Sequence, residues 1–394
     1  MSKKNLFDNT EVAFALKSDA ELDRAYFLFK MISIEPLVKI GTAMTNFALK
    51  AKLPVKSLIR ATVFDHFCGG VSEADCSSVV NKMYTKRVCS VLDYSVEGKE
   101  EEEQFDEAMN RILEILDFVD QKEPIPYGVF KPTAFGRFAL WQKKTEGKTL
   151  TKAEEEEWDR IEARFDRVCN KASDCNVALL IDSEESWMQG AADDLVANMM
   201  RKYNRDKAII YNTLQLYRHD RLGYLKELHE DAKKHGYKIG MKIVRGAYME
   251  KENERAQEHG YLSPICIDKQ TTDDNFNTTL IYILNNIEDI DVFIGTHNEY
   301  STLLAIETME ELGLEPYDPR IWFGQLYGMS DHISFNLAAA GYNVAKYLPF
   351  GPVRDVMPYL IRRAQENTSV AGQTSRELTL ITRERKRRKL ENES

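Results

Sequence analysis

The chain is predicted to be an α/β protein, a closed (βα)8 barrel of the TIM type with an all-helical arm ahead of it. Three observations predict this. From Pro124 onward, short apolar runs of strand length alternate with helical segments. The runs fall at residues 127–134, 177–183, 208–216, 238–247, 265–268, 292–296, 322–326 and 344–348. No GxGxxG turn follows the first of them, as a doubly wound dinucleotide fold would require. Each parallel pair needs a crossover, and eight strands suffice to close a sheet on itself.

Residues 1–120 carry helical punctuation without clear strand alternation, which predicts the arm. Within it Phe105, Met109, Ile112, Leu113 and Leu116 recur at helical spacing behind the acidic run EGKEEEE, whose charges suit a helix N-terminus. The barrel is expected over 121–372. Its first crossover should hold a helix with a capping box at Thr151 and Glu154 and an apolar stripe of Trp158, Ile161, Phe165 and Val168. Further helices are expected near 190–202, 222–234, 275–286 and 300–312. A basic tail, 373–394, contains RERKRRK. It reads as solvated and without fixed structure, with contact to an anionic lipid surface as the other reading.

After the last run, Pro352 suits a first helical turn, and Val353, Val356, Met357, Leu360, Ile361 and Ala364 recur at helical spacing beneath Arg362, Arg363 and Glu366. Glu366 lies four residues from Arg362 and three from Arg363, so it can hold one guanidinium while a bidentate fork stays available for a carboxylate or phosphate. A solvated basic helix end is the competing reading.

With 394 residues and 43% hydrophobic content, the chain can bury a large core. A formal charge of −10 argues against nucleic acid as a partner, because phosphate binding needs a basic surface. The 6 cysteines form no CxxC pair, so neither a metal site nor a disulfide framework is expected, and a reducing compartment fits. The N-terminus resembles neither a secretory signal nor a transit peptide. No run approaches the roughly 20 apolar residues that span a bilayer. A cytoplasmic protein is expected, with peripheral contact to the inner membrane face left open, or a mitochondrial one if the source is eukaryotic.

In such a barrel the chemistry sits at the C-terminal strand ends, and polar residues collect there. They are Lys131; Asp182, Ser183 and Glu184; Gln215; Lys242, Arg245, Gly246, Ala247 and Tyr248; Thr296, His297 and Asn298; Gln325, Leu326 and Tyr327; and Lys346 and Tyr347. Lys131 and Asp182 read as active-site groups tuned by each other, or as a structural ion pair. Gly246 and Ala247 let backbone approach a flat ligand, unless they form a simple tight turn.

The motifs VRGAY (244–248), THN (296–298), GQLYGM (324–329) and YLPFGPV followed by YLIRRAQEN (347–367) together resemble proline dehydrogenase, in that family's order. The similarity runs over about residues 124–369, in the version of the eukaryote-like branch. The resemblance implies oxidation of L-proline to Δ1-pyrroline-5-carboxylate by hydride transfer to non-covalently bound FAD, with electrons passed to a membrane quinone. It implies that Arg362 and Arg363 bind the substrate carboxylate and that Glu366 braces Arg362. Lys131, paired with Asp182, would lie over the pocket, Tyr347 would pack on the proline ring, and Leu326 and Tyr248 would form walls. For FAD it implies Asp182, Ser183, Gln215, Lys242, Val244, Gly246, Ala247, Tyr248, Thr272, Thr296, His297, Asn298 and Glu366. Lys242 stands where bacterial members commonly carry arginine. Two other classes stay open on the residues alone: a Schiff-base aldolase or lyase acting through Lys131 or Lys242, and a non-catalytic ligand-binding barrel.

Overall fold

The computed structural model of the protein describes residues 3–32, 34, 63–94, 100–369 and 373–392. Eight strands follow one another in chain order as a closed barrel: β1 Val88–Tyr94, β2 Tyr127–Phe130, β3 Ala178–Ile181, β4 Ile210–Gln215, β5 Ile239–Val244, β6 Ile290–Gly295, β7 Ile321–Leu326 and β8 Val344–Phe350. The registered pairs are parallel, as expected of strands joined by helical crossovers.

The fold class is the expected one, with two corrections to the strands. The first is β1, which lies inside the segment expected to be helical through residue 120. Val88, Cys89, Ser90, Val91 and Leu92 are all buried, so this strand shows no alternation. It follows the helix Glu73–Tyr84 with neither glycine nor proline between them. Arg87 makes the turn instead, at φ 59°, a left-handed conformation uncommon for a residue with a Cβ. The second correction is residues 265–268, which form no strand. Ile265 makes one isolated antiparallel bridge to Arg218, and the Cys266 N–H donates to Tyr217 O at 2.6 Å. These bonds tether a loop ahead of the helix Lys269–Asn285.

The chain divides into two compact units, Glu97–Gly324 and the combination of Met1–Val96 with Gln325–Ser394. In the first, β2 to β7 pair in register, with Phe130 beside Ile181, Thr213 beside Lys242, and Gln215 beside Val244. Tyr127 packs edge-to-face on Tyr211, Phe293 and Trp322 at 5.2–5.8 Å, an arrangement aromatic quadrupoles favour. The helix Lys152–Asp174 starts at the expected Thr151–Glu154 capping box and buries Trp158, Ile161, Phe165 and Val168. The helix Glu102–Val119 buries Phe105, Met109, Ile112 and Leu116, with Ile115 on the buried face where Leu113 was expected.

In the second unit β1 and β8 pair from Val88 opposite Val344 to Tyr94 opposite Phe350. The tail is corrected here: residues Gln373–Asn392 form a helix. Leu380 and Ile381 are buried with Ala13, Phe14, Leu22, Ala25 and Phe29. Three of its arginines are paired, Arg387 and Arg388 with Glu384 at 2.8 Å and Arg385 with Asp23 at 2.6 Å. That neutralisation weakens its attraction for an anionic surface. No helix among the described residues is long and apolar enough to cross a membrane.

Candidate active site

Within Glu97–Gly324, β strand ends bring several expected residues together. Lys242 lies on β5 and is buried. Its ammonium is paired with Asp182, which directly follows β3. Sequence reasoning expected Asp182 to meet Lys131; the structure supplies Lys242 as a partner for this carboxylate. Ser183 donates to Thr213 O, and Thr213 Oγ1 donates to Ile181 O at 2.7 Å, which fastens the end of β3 to β4. Gln215, the last residue of β4, donates from Nε2 to Glu184 O at 2.6 Å and accepts the Ala247 N–H at 3.3 Å. Asp182, Gln215, Lys242 and Ala247 are thus linked through β3, β4 and β5.

Gly246 has a specific backbone reason. Its φ is +129°, and a Cβ there would meet the Tyr217 ring at 2.6 Å. Only glycine satisfies both the conformation and the space. This turn leaves Gly246 and Ala247 exposed, with Val244 and Tyr248 half-buried on either side.

Two residues that sequence reasoning left without a role make several contacts at these strand ends. Arg245 donates to Asp273 at 2.7 Å, to Thr296 Oγ1 at 2.9 Å and to Ser301 Oγ at 2.9 Å. Its guanidinium lies 4.4 Å from the Phe276 ring centroid. Thr296 Oγ1 also accepts the Asn298 N–H at 3.1 Å, and Asn298 Oδ1 caps the helix Glu299–Glu311 through Ser301 N–H. The THN motif is therefore locked by the arginine of VRGAY, a residue 51 positions away in the chain. His297 is half-buried in the middle of that motif.

The other is Glu184. Its carboxylate accepts the N–H and O–H of Thr133 at 3.0 and 2.8 Å, and its N–H donates to Gln189 at 2.8 Å. Burial pushes this carboxyl up to about 7, against the opposing charge of Lys131 and the bonds from Thr133. Lys131 thus acts electrostatically on Glu184. Thr272 sits in the first turn of Lys269–Asn285 and donates to Asp268 O at 3.1 Å, a bond within its own helix.

The second unit carries the remaining expected residues. Leu326 ends β7, and Tyr347 lies buried on β8 with its carbonyl accepting the Tyr327 N–H at 2.8 Å. Arg362 and Arg363 lie on the helix Val353–Ser369, which is underpinned by buried Val356, Met357, Tyr359 and Leu360. Arg362 is half-buried; Arg363 is buried, its guanidinium 5.1 Å from the Tyr359 ring centroid. Glu366 falls on the same helix, but its side chain lies outside the described residues.

Comparison with known proteins gives a consistent picture. The sequence signature of the family described as proline dehydrogenase matches residues 76–376. The carbapenem antibiotics biosynthesis protein CarD of Pectobacterium carotovorum is 36% identical over 332 residues, 84% of this chain and 85% of that protein. The mitochondrial proline dehydrogenase 2 of Arabidopsis thaliana is 31% identical over 430 aligned positions, 97% of this chain and 89% of that one. Among solved structures, proline utilization A from Bdellovibrio bacteriovorus superposes with a TM-score of 0.70 at 21% identity, covering 94% of this chain and 37% of the larger protein.

Proposed function

The chain belongs to the proline dehydrogenase family, and from that premise we propose that it oxidises L-proline to Δ1-pyrroline-5-carboxylate with FAD bound non-covalently, the electrons passing to a membrane quinone. It is an enzyme of proline catabolism, acting at the first step. The single observation that carries the finer reading is the cation of Lys242, buried at the strand ends and braced by Asp182.

The donor set suits a flavin. Lys242 offers positive charge for the electron-rich edge of a reduced ring, without an arginine's planar fork. Gln215, Ala247, Thr296, His297 and Asn298 offer neutral donors and acceptors, and Gly246 removes the side chain that would keep a ring system off the backbone. Asp182, Ser183, Val244, Tyr248, Thr272 and Glu366 complete the set that the family resemblance assigns. When bound, FAD supplies the two-electron acceptor. The protein's own task is to hold a small zwitterion in a reactive pose and exclude water.

In this reading Arg362 and Arg363 receive the proline carboxylate as charge-assisted forks, and Glu366 steadies Arg362. Arg363 is already restrained by burial and by the Tyr359 ring, so less side-chain freedom is lost on binding. Tyr347 and Leu326 pack against the apolar ring, and Lys131 contributes a third positive group over the carboxylate. Proline's ring nitrogen must lose a proton as the adjacent C–H bond breaks. Asp182 holds Lys242 in place throughout.

The likeness to CarD over most of the chain favours a second reading of destination, in which the same oxidation feeds a biosynthetic step. The chemistry is common to both. A cytoplasmic location with peripheral contact to an inner membrane face fits a quinone acceptor. Purified protein should reduce a quinone analogue or dye on addition of L-proline, with no reduction of NAD. Proline-independent dye reduction would refute this, and trapping of a carbonyl compound by borohydride on Lys131 or Lys242 would favour lyase chemistry.

A further inference from the structure

A charge cluster lies behind the expected substrate walls of β7 and β8, and none of its members has a role in the reaction as read above. Lys346 on β8 is fully buried, and its ammonium contacts Asp331 Oδ1 at 2.7 Å, Met329 O at 2.7 Å and Leu326 O at 3.4 Å. Three N–H groups meet three acceptors, which is the full donor capacity of a lysine. Asp331 Oδ2 in turn takes Lys17, at 3.0 Å, from the amino-terminal segment. Burial alone would raise the Asp331 carboxyl, but the charges of Lys17 and Lys346 overcome it and hold the group well below the usual carboxylate range.

Other contacts hold the same short segment. Gly328 has φ +79°, and a Cβ there would come within 2.4 Å of His66 O; its own carbonyl bonds His66 Nε2 at 3.0 Å. His332 pairs with Glu377 of the carboxy-terminal helix at 3.4 Å. From that helix Arg388 donates to Lys17 O at 2.9 Å and to Phe14 O at 3.0 Å. The residues between Leu326 and His332 are therefore gripped by both ends of the chain.

Lys346 and Tyr347 are adjacent on a strand and point to opposite faces. The cluster fixes the carbonyl of Leu326 from one face while Tyr347 works on the other. We propose that Lys17, acting through Asp331 and Lys346, is a positioning residue that sets Leu326 and Tyr347 and so determines which cyclic imino acids fit. This rests on the proposed function above. It assigns the amino-terminal helices a part in substrate selection rather than in the chemistry itself.

The test uses the full chain with Lys17→Met, Lys17→Gln and Lys17→Arg, and compares kcat and KM for L-proline with those for trans-4-hydroxy-L-proline and L-pipecolate. The expected result is a KM for proline raised at least fivefold with kcat changed less than twofold. The preference for proline over the six-membered ring should fall at least threefold in the Met and Gln variants, and Lys17→Arg should restore both. An unchanged preference in whichever neutral variant folds, or equal losses toward all three substrates, would overturn the assignment. So would failure of both neutral variants to fold, since Lys17 would then be a residue of the fold alone. If the parent protein oxidises no imino acid, the functional reading itself fails, and that outcome is separate from a parent that works with a preference Lys17 does not control.

Discussion

Replacing Lys242 by methionine should separate its structural part from its chemical part. The Lys242 side chain is 7% exposed and that of Asp182 19%. Deleting one partner of a fully buried pair costs about 3–5 kcal/mol. Because Asp182 keeps some contact with water, the loss expected here is smaller, roughly 2–3 kcal/mol. Asp182→Asn alone should cost a similar amount by removing the carboxylate that pairs with the buried lysine. The double variant Asp182→Asn/Lys242→Met removes both charges of this pair and should return to within about 1 kcal/mol of the parent. Turnover should behave differently. If the ammonium stabilises charge that develops in the reaction, its removal lowers kcat by roughly 10²–10³ in the single and the double variant alike. Urea denaturation gives the stabilities, and proline-dependent dye reduction gives the rates. Stability losses that simply add, or turnover that recovers in the double variant, would refute the assignment.

Arg362→Ala and Arg363→Ala should each raise KM for proline by roughly 10–150-fold, from a charge-assisted bond of about 1.5–3 kcal/mol; steady-state kinetics with unchanged KM would rule out the clamp. Gly246→Ala should destabilise by roughly 2–6 kcal/mol, from left-handed strain and from overpacking against Tyr217 at 2.6 Å; a loss under about 1 kcal/mol would contradict the geometry. Glu184 gives a pH dependence. Its folded pKa, about 7, lies above the ordinary 4.5, so the folded state keeps a proton that the unfolded chain has released. Stability contributed by the protonated form is present below about 4.5, falls as pH rises to about 7 and is then level. Glu184→Gln should remove that part of the slope in urea midpoints measured from pH 4 to 8, and an identical slope in parent and variant would refute it.

The barrel was legible because its central strands are buried on both faces and read as unbroken apolar runs between helical stripes. The same feature hid β1. VCSVLDY carries a serine and an aspartate, follows its helix through Arg87 rather than a glycine, and gives no alternation to mark it. Residues 265–268 misled for the converse reason: three apolar residues before Asp268 can be a loop clamped by one bridge. The expected number of strands thus came from two offsetting misreadings. Candidate site residues could be named from motifs, but their partners could not. Nothing in sequence spacing tells that Asp182 meets Lys242 rather than its neighbours, or that Arg245 locks Thr296, because such pairs form between strand ends far apart in the chain. The tail was misread because Leu380 and Ile381, which pin it, are few beside its charges, and Glu384 is the carboxylate that Arg387 and Arg388 share.

The central claim is that these strand ends hold an oxidised flavin that takes electrons from a cyclic imino acid fixed by Arg362 and Arg363. An absorbance spectrum of the purified protein, recorded anaerobically before and after L-proline is added, tests it most directly. A flavin band that bleaches with L-proline in the parent, and not at the same proline concentration in Arg362→Ala or Arg363→Ala, is the predicted result. A colourless protein, or a band that proline leaves unchanged, would contradict it.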